Sequence, residues 1–103
     1  MNEKEQIKEW EKLGMQPIQL YEKALKTYGF ASQKWVLIEE CGELIDAFAK
    51  AERGRAETEH LLEELADVSI MVGQMAVAIG FERFQEKRAE KLLRLYKRLE
   101  EKK

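Results

Sequence analysis

The sequence predicts an all-α protein, with four main helices in an antiparallel bundle, a short helix before them, and assembly of the chain into a homo-oligomer. Apolar residues recur at helical spacing along most of the chain, and no stretch alternates in the way that a strand does. The single proline and most of the six glycines separate these periodic segments. A length of 103 residues corresponds to one domain, so residues 1–103 are expected to form a single helical domain.

The first two helices are delimited by glycine and proline. Residues 2–13 are predicted to form a short amphipathic helix that ends near Gly14. Pro17 suits the first turn of a second helix, where its missing N–H would have no partner in any case. Gly29 is placed to end that second helix.

The three remaining helices follow with short connections. Ser32 is expected to cap the third helix, which runs to about Arg53 before the break at residues 53–55. Thr58 is expected to cap the fourth helix, which ends at Gly80. The fifth helix is predicted from about Glu82 almost to the end of the chain.

The fourth helix is apolar nearly all round, with Ile70 and Val77 facing away from Val68 and Val72. A bundle this small does not cover both sides of such a helix, so the pattern predicts a partner copy of the same chain. The line of this helix expected to face the core consists of Leu61, Leu65, Val68, Val72 and Met75.

Composition and charge exclude several classes of protein. The net charge is −2, so no overall field attracts the chain to nucleic acid or to a membrane surface. Cys41 is the only cysteine, which rules out an intrachain disulfide and a thiolate metal cluster. Because the first residues also lack the apolar core of a signal peptide, we expect a cytoplasmic protein with no nucleic-acid or membrane partner.

Two pairs of carboxylates stand beside the apolar lines of the middle helices. Glu40 precedes Glu43 by three residues, and Glu64 precedes Asp67 by three. Residues three apart share a helix face, about 5–6 Å between Cβ atoms, so each pair can aim at one point. The two pairs are expected to face one another if the third and fourth helices pack antiparallel.

Four partly buried carboxylates repel each other and lose hydration, which costs several kcal/mol for each uncompensated ion. They must therefore be protonated, paired with basic residues, or neutralised by a metal. Oxygen ligands favour a hard cation, Mg²⁺ or Mn²⁺, which commonly completes its shell with substrate phosphates. The residues alone thus favour a phosphate-handling enzyme over a solvated acidic face.

The stretches LIEECGELI at residues 37–45 and ELADV at residues 64–68 resemble the signature of the MazG-like all-α nucleoside triphosphate pyrophosphohydrolases. That superfamily includes the dimeric dUTPases and the dCTP pyrophosphatases. The resemblance implies Mg²⁺-dependent cleavage of a (d)NTP to a (d)NMP and pyrophosphate, with Mn²⁺ as a possible substitute. It also implies a homodimer or a dimer of dimers. The metal ligands it implies are Glu40, Glu43, Glu64 and Asp67.

Five further residues are weaker candidates for the reaction. Glu39, the first acid of the motif, is a candidate for orienting or deprotonating the attacking water. Gln33 lies on the carboxylate line and is a candidate for contacting the base, and Trp35 for stacking on it, although a core or interface position suits Trp35 as well. Lys91 and Arg94 belong to a basic stripe on the last helix and are candidates for phosphate contact.

Two alternatives remain open at this stage. One is a different carboxylate-bridged metalloprotein, such as a dimanganese or di-iron bundle. The other is a non-catalytic helical interaction module that keeps the acidic motif without turnover. Metal content with absorption spectra distinguishes the first, and pyrophosphate release from nucleotides distinguishes the second.

Overall fold

The structure, a computed structural model, describes residues 2–51 and 55–102. Every regular element in these ranges is an α-helix, which confirms the predicted all-α class. The helices are α1 (Glu3–Lys12), α2 (Pro17–Tyr28), α3 (Phe30–Lys50), α4 (Arg55–Ile79) and α5 (Phe81–Glu101).

The first two helices begin and end where the sequence predicts. The Asn2 side chain caps α1 by accepting a 2.9 Å hydrogen bond from the backbone N–H of Glu5. Pro17 is the first residue of α2, and the Gln16 backbone N–H donates to Gln19 Oε1 at 2.7 Å. The first turns of both α1 and α2 are therefore fixed by local hydrogen bonds.

The predicted caps at Ser32 and Thr58 are wrong. Gly29 has φ 87°, a backbone conformation that glycine adopts readily, and it both ends α2 and precedes the first residue of α3. Ser32 is consequently inside α3. Thr58 lies inside α4, which already begins at Arg55. Of the predicted break at residues 53–55, positions 53 and 54 lie outside the described residues.

Helix α4 is the element against which α2, α3 and α5 all pack, and its most extensive contact is with α3. The contact between α2 and α4 is close at Gly73. A Cβ atom built on Gly73 would overlap the Tyr21 ring, at 2.7 Å from Cζ. The missing side chain of Gly73 therefore lets α2 approach α4.

We expect Gly73→Ala to destabilise the protein by about 1–3 kcal/mol, because the added methyl group displaces the Tyr21 ring. This cost opposes the gain of about 1 kcal/mol that alanine normally brings to a helix interior. Gly42→Ala in α3 is the matched control, since nothing lies within 4 Å of its built Cβ, and it should be neutral or stabilising. Urea unfolding at one protein concentration measures both. A Gly73→Ala protein as stable as Gly42→Ala would contradict this packing.

The buried apolar residues among those described are only Met71, Met75 and Ala76. The prediction for the inward line of α4 is therefore confirmed only in part, with Leu61 and Val68 half-buried. Met75 is buried, but Leu65 is 45% exposed and Val72 is 38% exposed. Helix α4 buries the face with Met71 and Met75, whereas Gly73, about 160° around the helix from both, lies against Tyr21 of α2.

Helix α5 extends away from the rest of the chain. In the described part of the chain it contacts only α4, and every residue from Gln85 to Lys102 is exposed. The radius of gyration is 16.6 Å, whereas a compact domain of this length has about 13 Å. No described helix combines the length and the apolar character needed to cross a membrane.

Candidate active site

The functional candidate is a cluster of carboxylates where α3 packs against α4. Glu40 and Glu43 come from one face of α3, and Glu64 comes from α4. One carboxylate oxygen from each of the three lies within 4.8 Å of the others. Three of the four predicted ligands are thus brought together, and Asp67 is not among them.

Few described residues near the cluster compensate its negative charge or donate hydrogen bonds to its oxygens. Glu64 is only 8% exposed. Among the described residues, no hydrogen-bond partner reaches Glu40 Oε2 or Glu64 Oε2, although both atoms are buried. The His60 Nε2 atom lies 3.9 Å from Glu64 Oε1 and gives an ion pair only when His60 is protonated. Buried oxygens without partners are uncommon, so these two call for an explanation.

The electrostatics include the fourth predicted ligand, Asp67. Burial raises the pKa of the Glu40 carboxyl above its usual value, and the charges of Glu43, Asp67 and Glu64 raise it further. A side-chain hydrogen bond with Glu43 acts in the same direction. The negative charge of Asp67 therefore acts on Glu40 across the helix contact.

These residues suit a hard divalent cation. The ligand atoms are all oxygens, two of them are buried and unpartnered, and their mutual separation allows one ion to contact several of them. A cation would also oppose the rise in the pKa of Glu40, since it favours the ionised carboxylate.

The remaining candidates on α3 lie at different angles around the helix axis, relative to the carboxylates of this cluster. Glu39 is exposed, and one residue step turns its side chain about 100° away from Glu40. Gln33 is 7% exposed and lies nearly two turns before Glu40 on the same face. Trp35 is 58% exposed, with the Lys34 Nζ atom 5.2 Å above its ring, and it lies on a different face.

Lys91 and Arg94 are exposed on α5. Within the described chain α5 contacts α4 alone, so neither residue is brought to the α3 carboxylates by packing of its own helix. Their role in phosphate binding stays a prediction, and it requires a second chain or a different arrangement of α5.

Sequence reasoning missed Gln74, which is 7% exposed and lies on α4. Its Oε1 atom is the third buried side-chain oxygen that lacks a hydrogen-bond partner among the described residues. A signal was present, because a glutamine stands within the long apolar run of the fourth helix, seven residues after Asp67. Burying an amide among apolar side chains costs free energy unless its polar atoms form hydrogen bonds.

Comparison with known proteins agrees with this geometry. A family model, the MazG nucleotide pyrophosphohydrolase domain, matches residues 29–97, which include α3, α4 and most of α5. Searches of curated proteins and of solved structures each returned no match. The family match covers both helices that supply the carboxylates, and the chain belongs to the MazG nucleotide pyrophosphohydrolase domain family.

Proposed function

We propose that this protein is a metal-dependent nucleotide pyrophosphohydrolase that cleaves a (d)NTP to a (d)NMP and pyrophosphate. Membership of the MazG family supports the reaction class. The observation that carries the proposal is the cluster of Glu40, Glu43 and Glu64, whose buried oxygens lack partners in the described chain. A cluster of acids that only faced solvent would not contain a residue as buried as Glu64.

The four proposed ligands would hold Mg²⁺, or Mn²⁺ in its place, between α3 and α4. When bound, the ion would neutralise phosphate charge and lower the pKa of a coordinated water. Glu40 and Glu64 would contribute buried oxygens, while Glu43 and Asp67 would complete the set from the solvent side.

Glu39 is proposed to act on the attacking water. It is exposed and adjacent in sequence to a ligand, so its carboxylate can accept a proton from a water held beside the cluster. Gln33 and Trp35 are proposed contacts for the base. Gln33 has the stronger support, because it is buried on the same face of α3 as Glu40.

We also propose that α3 and α4 run antiparallel in a bundle that is completed by a second copy of the chain. The connection from residue 51 to residue 54 is short, and the two helices pack extensively. A partner would cover the large apolar side chains that α5 exposes by half or more, which are Leu92, Leu93, Leu95, Tyr96 and Leu99. It would also bring Lys91 and Arg94 of one copy towards the carboxylates of the other.

A nucleotide screen tests the proposed reaction. Natural and damaged NTPs and dNTPs are incubated with the full chain and Mg²⁺ or Mn²⁺, and the products are identified chromatographically. A monophosphate with pyrophosphate supports the proposal, whereas orthophosphate release contradicts the cleavage position. No turnover with any nucleotide would favour the interaction module. Bound iron or manganese with the absorption spectrum of a bridged pair would favour the other alternative.

A further inference from the structure

We propose that Gln74 contacts the base of the bound nucleotide through a pocket between α1, α2 and α4, and that this contact helps to select the substrate. The inference rests on the proposed function, because it places the base relative to the metal-binding carboxylates. It assigns a role to a residue that the acidic motif does not include.

The pocket has a volume of about 340 Å³, and Gln74 is the lining residue that carries an amide group. The indole of Trp10 and the ring of Tyr21 line it from α1 and α2, and Ile70 lines it from α4. Ligand pockets typically have this composition, with mostly apolar walls and few polar groups that fix the orientation. The aromatic side chains offer surfaces on which a planar base can stack.

The orientation of the Gln74 amide determines what it can bind. Its Nε2 atom donates to the Met71 Sδ atom at 3.6 Å. A thioether sulfur only accepts hydrogen bonds, so the amide places Nε2 beside the sulfur and Oε1 on its other side. No donor among the described residues reaches this buried Oε1 atom. Nucleobases carry N–H groups on their edges, which are donors of the kind that this oxygen lacks.

The pocket lies at a suitable distance from the carboxylates. Asp67 and Gln74 are seven residues apart on α4, which places them on one face with a rise of about 10 Å. This separation is comparable with the reach from an α-phosphate across a pentose to the far edge of a base. Gln33 and Glu40 have the same spacing on α3, and with antiparallel helices the two glutamines lie at one level. A nucleotide would then extend along α4, with phosphates at the acids and base near Gln74.

The test replaces Gln74 with leucine, which has a similar volume but no hydrogen-bonding group. The catalytic readout compares kcat/KM for the best nucleotide with that for inorganic tripolyphosphate, which has no base. We expect Gln74→Leu to lower kcat/KM for the nucleotide at least about tenfold, mainly through KM, and to leave tripolyphosphate hydrolysis within twofold. An equal loss for both substrates, or no loss for either, would overturn the inference.

A binding measurement separates this inference from the proposed reaction. The product dNMPs, with Mg²⁺ present, are titrated into the full chain by calorimetry, which needs no turnover. Wild type should bind at least one dNMP about tenfold more tightly than Gln74→Leu does. Equal affinities would contradict the role of Gln74 even in an active enzyme. A difference in a protein without turnover would instead contradict only the hydrolysis.

Two further variants control for structural effects. Gln6→Leu makes the same chemical change at an exposed position of α1 that does not line the pocket, and it should leave dNMP affinity unchanged. Ala24→Phe fills the pocket from α2 and should weaken dNMP binding, although Gln74 itself is not substituted. Gln74→Leu removes a buried amide oxygen that has no partner among the described residues and loses only a weak bond to sulfur, so its melting temperature should equal or exceed that of wild type. Unchanged dNMP affinity in the filled variant would place the base elsewhere.

Discussion

Glu64→Gln is expected to remove metal-dependent hydrolysis while leaving the protein folded. The substitution keeps the shape of the side chain but replaces a buried anionic ligand with a neutral amide. Loss of an outer partner of a metal ligand typically costs 10- to 100-fold in activity, so loss of the ligand itself should reduce kcat/KM by more than about 100-fold. Pyrophosphate release from the best nucleotide in the screen measures the change.

Glu59→Gln is the control for Glu64→Gln. It makes the same change of charge on an exposed position of α4 and should retain wild-type activity. Circular dichroism should show equal helicity in both variants. Full activity in Glu64→Gln, or equal losses in the two variants, would contradict the assignment of the metal site.

The same site makes the stability of the metal-free protein depend on pH. The pKa of Glu40 is raised in the folded state, so folding favours its protonated form. Its contribution to stability is greatest below the ordinary glutamate pKa and falls as the pH rises through the raised value. Melting temperatures in EDTA should therefore decrease over this range, and Mg²⁺ should reverse the decrease. Glu64→Gln should reduce the slope, because it removes one of the charges acting on Glu40.

Leu92→Arg is expected to convert an oligomeric wild-type protein into single chains and to lower its activity. Leu92 is 51% exposed on a helix that contacts only α4 in the described chain. In a monomer such a surface substitution would change stability by only about 0.5 kcal/mol. In the proposed assembly it places a charge in the apolar contact between copies. Light scattering coupled to size-exclusion chromatography measures the mass, and pyrophosphate release measures the activity.

The matched variant is Glu90→Gln, which changes the net charge of α5 by the same +1 by removing a carboxylate. Residue 90 lies about 160° around the helix from residue 92, so this change falls on the opposite, polar face. We expect Glu90→Gln to keep the wild-type mass. A wild-type protein that is monomeric and fully active at assay concentrations would contradict the proposed assembly.

The helices and the acidic cluster were predictable from local patterns, and the inward face of α4 was not. Spacing and breaker residues located α1 and α2, because Pro17 and Gly29 act within a few residues of where they stand. The three-residue spacing of Glu40 and Glu43 likewise depends only on the geometry of one helix. A helix that is apolar nearly all round carries no distinct stripe, so its orientation depends on its neighbours. Leu65 was therefore predicted inward and Met71 was not.

Gln74 shows a second limit of local patterns. Its burial depends on the approach of α2 to α4, and that approach depends on the fit of Tyr21 against Gly73. No spacing rule within one helix contains this contact. The prediction of a cap at Ser32 is wrong for a simpler reason. Gly29 is the N-cap of α3, so the helix begins before Ser32.

In the proposed assembly, the projection of α5 would make the concentration of the protein part of its folding equilibrium. Most of the stability of a helix in a protein comes from packing of its apolar face, and residues 85–102 have no buried position in the described chain that would supply such packing. In the proposed assembly the second copy supplies that support, so association and the helicity of α5 are linked by mass action. Dilution should then reduce the helical signal and the activity together. The protein concentration would then determine, through the association of α5, the fraction of chains that are catalytically active.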